Sequence, residues 1–129
     1  MPFTLRASKL CNEQDEGGNM KVYRLKDVQE RELVPGGKVR FVHSDAMTLA
    51  FWTFEAGSPL PEHAHHHEQI LSVVKGVIEF VINGENEIVE APASIIIPPN
   101  AVHSGKCRTD CTIIDAFNPK RQDFAVLDA

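Results

Sequence analysis

Apolar residues along this chain fall in short runs, many of them β-branched and many alternating with polar positions. That pattern predicts strands over 22–25, 38–42, 47–55, 70–75, 77–82, 87–90, 94–97, 101–106 and 111–117. Turn residues separate the runs, among them Pro35-Gly36-Gly37 and Ala56-Gly57-Ser58-Pro59, and Asn83-Gly84 is a strong signal for a tight hairpin. Only 26–33 has the make-up of a short helix. Closely spaced short strands with frequent Gly and Pro turns indicate an all-β sandwich or barrel. Residues 12–19 are polar, acidic and glycine-ended, so 1–19 reads as a flexible lead-in and 20–129 as a single domain.

With 129 residues there is material for one enclosed core and no second catalytic domain. A net charge of −5 supplies no basic stripe to neutralise phosphates, which argues against a nucleic-acid partner. No apolar run approaches the roughly 20 residues that span a bilayer, so no membrane partner is expected. Three cysteines leave one over, which speaks against a disulfide framework and for a reducing, cytoplasmic setting. Cys107 and Cys111 flank Arg108-Thr109-Asp110 and could bridge or hold zinc; with no further ligands nearby, two free thiols are the expectation.

The chemistry concentrates in Glu62-His63-Ala64-His65-His66-His67-Glu68-Gln69. On an extended strand His63, His65, His67 and Gln69 share one face, while Ala64, His66 and Glu68 share the other. Imidazole suits zinc, copper, iron and nickel and binds only as the neutral ring, so occupancy should fall below about pH 6. The plain alternative is a histidine-rich loop that captures metals without specificity.

A second segment weighs against that alternative. Gly57, His63-x-His65, Gln69 and Gly76 resemble the first cupin motif in order and spacing, and Pro98-Pro99-Asn100-Ala101-Val102-His103 resembles the second. The resemblance implies a cupin jelly-roll β-barrel, the double-stranded β-helix. Its cavity would hold one divalent metal ion (Zn, Ni, Mn or Fe) through His63, His65, Gln69 and His103, with His67 at the pocket or rim. It also implies a homodimer. Gln69 stands where the pattern has glutamate, with Glu68 as a substitute if the strand bulged; Pro92 replaces a glycine, and so does Asn100, a residue that tolerates a left-handed backbone.

A neutral amide ligand leaves the ion's charge uncompensated, which strengthens Lewis acidity and disfavours a trivalent iron state. Asp115 lies on one face with Ile113 and Phe117, where burial is costly; it is either a general acid or base or an ion-paired strand-end residue. The ending Asp115-Ala116-Phe117-Asn118-Pro119-Lys120-Arg121 is similar to that of small cupins of the pectin-degradation KdgF group. That resemblance implies opening of a 4,5-unsaturated uronate ring to a linear keto sugar acid. Asp115 would then transfer the proton, Phe117 would be a pocket wall and Arg121 a carboxylate clamp, though Arg121 also reads as a solvated basic residue. Three functions stay open: a non-redox isomerase or lyase on a small acidic or sugar-like molecule, a metal-dependent dioxygenase, and a non-catalytic binding or sensing module.

Overall fold

The computed structural model describes residues 18–128. Ten strands dominate: β1 Arg31–Val34, β2 Gly37–His43, β3 Thr48–Phe54, β4 Pro59–His63, β5 Glu68–Lys75, β6 Val77–Ile82, β7 Glu85–Glu90, β8 Ala93–Ile97, β9 His103–Cys107 and β10 Cys111–Asn118. A single turn of helix, α1 (Gln122–Ala125), runs into a 3-10 turn at Val126–Asp128. All pairings are antiparallel and form two sheets, one in the order β1-β2-β3-β10-β5-β8 and one in the order β4-β9-β6-β7.

Alternation along each strand turns one set of side chains into the space between the sheets. On β10, Cys111, Ile113, Asp115 and Phe117 are buried while the intervening residues are partly exposed. Phe54, Leu71, Val73, Ile78, Phe80, Ile97 and Ile113 form the main apolar cluster, and Val39, Phe41, Ala50 and Phe117 form a second one that takes in Phe124. Cys107 and Cys111 are buried and free, and burial pushes the Cys107 thiol up to about 12. The outer face of the six-stranded sheet carries an apolar row in register across five strands: Val42, Leu49, Ala116, Ile70 and Ile96.

Two turns need their residue types. Asn83 and Gly84 both have positive φ, 48° and 86°, as a two-residue hairpin between Ile82 and Glu85 demands. Gly76 links β5 to β6 with φ 97°, and a Cβ there would run into the Asp110 carbonyl and the Cys111 sulfur.

Residues 22–24 are not a strand, and 26–33 is not a helix. A 3-10 turn at Leu25–Asp27 is followed by β1, which the Pro35-Gly36 turn folds back onto β2, so ladder pairing outweighs local propensity. β4 went unread because its Pro-Leu-Pro-Glu-His sequence lacks β-branched residues and carries prolines, which an edge strand tolerates. The expected lead-in 1–19, apart from Gly18 and Asn19, lies outside the described residues.

Candidate metal centre

His63 ends β4 and His103 begins β9, and the two are cross-strand partners in the four-stranded sheet. Gln69, near the start of β5, belongs to the other sheet. His65 lies between them in 64–67, which is not strand, so the chain does not run extended from 63 to 69 as expected. It leaves one sheet, crosses, and enters the other. The crossing is pinned where the Asn100 backbone N–H donates to the His65 carbonyl over 2.7 Å; Asn100 has the left-handed φ of 67° that its position in the second motif requires. Pro92 lies in the bend between β7 and β8, away from these residues.

One ring nitrogen from each of His63, His65 and His103 lies within 4.8 Å of the others. Each ring is oriented from behind. Nδ1 of His63 donates to the Pro61 carbonyl (2.7 Å), Nδ1 of His65 to the His67 carbonyl (3.0 Å), and Nδ1 of His103 to the Ala101 carbonyl (2.8 Å). A neutral imidazole whose Nδ1 donates has only a lone pair on Nε2. His103 Nε2 is buried with no hydrogen-bond partner. His65 Nε2 lies 3.1 Å from Gln69 Oε1, so two acceptors face each other with no proton between them. Converging lone pairs without a donor suit a cation, and the borderline imidazole set with one amide oxygen fits a divalent first-row metal.

Burial favours the neutral, binding form of His103 and His65. Burial lowers the His103 pKa to about 4; the Ala101 hydrogen bond opposes this, and the charges of His63, His65 and Arg121 reinforce it. Burial, then the Arg121 charge, lowers His65 as well.

Gln69 is buried, whereas Glu68 is exposed and turned away. The Gln69 amide Nε2 donates to Asp115 Oδ1 over 2.8 Å. Asp115 sits mid-strand on β10 with no ion-pair partner within contact distance among the described residues, so the paired strand-end alternative does not hold. Burial raises its pKa to about 7, against hydrogen bonds from Gln69 and Trp52 and the charge of Arg121.

These side chains open on a cavity of about 280 Å³ between the sheets, lined in part by His63, Gln69, His103, Asp115, Phe117 and Arg121. Phe117 is thus a wall. Arg121 is buried, not solvated: its guanidinium stacks 4.7 Å from the Phe117 ring and 4.0 Å from the Phe124 ring. Its side-on fork is already taken, because Nε and Nη2 donate to the two carboxylate oxygens of Asp123, leaving only the end-on edge for a ligand. His67 does not line this cavity. It is buried behind His65 and borders a separate surface recess with Asp45, His66 and Lys120. The crossing from one sheet to the other breaks the two-residue alternation that had placed it beside His65.

Sequence reading missed Trp52 and Phe124 as cavity residues and Asp123 as the partner of Arg121. Phe124 arrives on α1, whose single turn is too short to show helical periodicity. The i, i+2 spacing of Arg121 and Asp123 was the available signal.

A family model for the cupin domain matches residues 50–117, from β3 to β10. The chain is 32% identical over 83 residues to the pectin degradation protein KdgF of Dickeya dadantii strain 3937, covering 63% of this chain and 76% of that protein. An RmlC-like cupin from Shewanella frigidimarina superposes with a TM-score of 0.76 at 25% identity, over 82% of this chain and 96% of its own. KdgF from Halomonas sp. superposes with a TM-score of 0.75 at 23% identity, over 81% and 99%. The matched span contains His63, His65, Gln69, His103 and Asp115, and the chain belongs to the cupin family, within its KdgF group.

Proposed function

We propose that this protein is a metal-dependent, non-redox enzyme that opens the ring of a 4,5-unsaturated uronate to the linear keto acid. The observation that carries the reading is Asp115: a buried carboxylate in the wall of the cavity, one hydrogen bond behind a ligand of the three-histidine centre. The identity to the Dickeya pectin degradation protein supports the substrate class.

His63, His65, Gln69 and His103 hold the ion, which when bound supplies Lewis acidity toward a sugar oxygen. The end-on edge of Arg121, which Asp123 leaves free, pairs with the uronate carboxylate and fixes the ring against Phe117. Asp115 takes the proton of the anomeric hydroxyl as C1 becomes a carbonyl and the C1–ring oxygen bond breaks. The released electron pair leaves the ring oxygen as an enolate, and the proton held by Asp115 returns to C4, which completes the ketone and regenerates the carboxylate. Every atom of the substrate is retained and no electron is exchanged, so neither dioxygen nor another oxidant takes part.

The chain works in the cytoplasm as a homodimer in this reading, and the apolar row on the six-stranded sheet supports a second copy as its cover. No helix among the described residues is long and apolar enough to cross a membrane.

The test is to follow the ultraviolet absorbance of the conjugated double bond of an unsaturated uronate monomer. Metal-loaded protein should discharge it faster than the spontaneous rate, equally well with and without dioxygen. Asp115→Ala and Asp115→Asn should each lose about 10²-fold or more. A loaded wild-type protein that leaves the spontaneous rate unchanged would overturn the proposal.

A further inference from the structure

We infer that Gln69 and Asp115 act as one unit, in which Asp115 is a positioning residue that sets which end of the Gln69 amide faces the histidines. It also supplies, one hydrogen bond behind the ligand, the negative charge that the ligand itself lacks. The inference rests on the metal-dependent reading above but concerns binding of the ion, not the reaction.

An amide has two ends of similar size and opposite hydrogen-bonding character. Left to itself, the Gln69 side chain would turn its NH₂ toward the lone pair of His65 Nε2, which would cap the ring and fill the site with a donor. A carboxylate at Asp115 forbids that orientation. It is acceptor-only when ionised, it is 2.8 Å from Gln69 Nε2, and the opposite amide rotamer would set oxygen against oxygen. The amide oxygen is thereby delivered to within 3.1 Å of His65 Nε2, among the converging ligands.

Sheet register makes the pairing rigid. Gln69 is opposite Phe117 on β10 and Asp115 is opposite Leu71 on β5, so Gln69 and Asp115 are diagonal neighbours on one face of two central strands. Both are buried and both strands are paired on each side, which leaves neither backbone free to shift.

Charge points the same way. Three neutral rings and an amide leave a divalent ion without a formal counter-charge, and the nearby cation, Arg121, is already paired with Asp123. Asp115 is the sole acidic residue lining the cavity among the described residues. A carboxylate hydrogen-bonded to a ligand increases that ligand's basicity and holds its orientation. The couple therefore transposes a glutamate ligand: the carboxylate steps back and an amide relays its field.

The test measures zinc affinity by competition with a chromophoric chelator, and site geometry from the visible spectrum of the Co(II)-loaded protein, with no substrate present. Asp115→Asn keeps an acceptor oxygen for Gln69 but removes the charge; affinity should fall about 10-fold with the cobalt spectrum kept. Asp115→Ala removes both, and should lose about 10- to 100-fold in affinity and alter the spectrum. Gln69→Glu alone sets two carboxylates against each other and should also bind poorly. Combined with Asp115→Asn it moves the charge into the ligand position and should recover affinity to within about threefold of wild type, a rescue expected only if the two residues are coupled.

Melting curves identify any variant that fails to fold, and the double variant keeps the test decisive if Asp115→Ala is one of them. Wild-type affinity and spectrum in Asp115→Ala, or a double variant no better than its parents, overturns the inference. Unchanged metal binding with turnover lost sinks this coupling and leaves the enzymatic reading intact. Coupled binding in a protein that does not turn over uronates does the reverse.

Discussion

His103 is buried and His43 partly buried, and the nitrogens of their rings are held in comparable ways. Each has an engaged Nδ1, each has an Nε2 that is buried without a hydrogen bond, and burial lowers the pKa of both. Their neighbours differ. His103 Nδ1 donates to a carbonyl, so its Nε2 is a lone pair facing two further rings. His43 Nδ1 lies 2.8 Å from Thr48 Oγ1, which already accepts the Arg121 backbone N–H and so has its own proton to give. That favours the opposite tautomer, with the proton on Nε2 directed at Asp128, 3.8 Å away. One histidine presents a lone pair suited to a cation, and the other sits beside an anion that accommodates a proton. The residue type does not distinguish them; the group behind Nδ1 does.

That contrast is broken most directly by mutation. His103→Ala should drop bound metal from about one equivalent to less than about a tenth, since one of the four ligands disappears. His43→Ala should leave metal content unchanged. Elemental analysis after dialysis checks both, and loss of metal from the His43 variant would abolish the distinction.

Acid provides the next largest effect. In metal-free protein His103 stays neutral down to about pH 4, whereas in the unfolded chain a histidine takes up its proton near 6.5. The folded state therefore binds fewer protons between those values. Stability should be fully present above about pH 6.5, fall as the pH drops toward 4, and then level off as far as this group is concerned. The ceiling is roughly 3 kcal/mol. Thermal melts of chelator-treated protein across that window test it, and a flat profile would show that the ring is not held neutral. Loaded protein should release its ion over the same range.

A smaller change separates charge from geometry at Arg121. Arg121→Lys keeps the positive charge but loses the fork that Asp123 occupies and the stacking on Phe117 and Phe124. The KM for an unsaturated uronate should rise about tenfold, with metal content unchanged. The smallest effect is expected at the far end of the His43 cluster. Asp128 pairs with Arg31 over 2.8 Å, and the Arg31 guanidinium also donates to the Leu127 carbonyl, which ties the C-terminal turn to β1. Asp128→Ala should cost less than about 1 kcal/mol in urea unfolding, as for other partly exposed pairs, and should not affect metal binding.

How much of this could be read from the chain depends on how far each signal reaches. Strands β5, β6 and β8 declare themselves through runs of Val and Ile, which satisfy local propensity and burial together. β4 and β1 exist because a partner strand is waiting, and nothing in Pro-Leu-Pro-Glu-His or Arg-Glu-Leu-Val announces that partner. Motif spacing named four candidate ligand positions, of which His63, His65 and His103 bring ring nitrogens together. His67 was misplaced because alternation holds within a strand, and the chain changes sheets between His63 and Gln69. Asp115 was visible as a charge in an apolar run. Its hydrogen bond to Gln69 links residues 46 apart in sequence and depends on a diagonal register between β5 and β10 that no local pattern encodes.

The division of ligands between sheets has a mechanical consequence. His63 and His103 belong to the four-stranded sheet and Gln69 to the six-stranded one, and no backbone ladder joins the two. A cation held by all of them is a rivet through two plates that otherwise meet only through side chains and connecting turns. Loading should slow amide exchange most at the facing ends of β4, β5 and β9, far more than in the β6–β7 hairpin, and raise the melting temperature in proportion to the logarithm of free metal once the site is saturated.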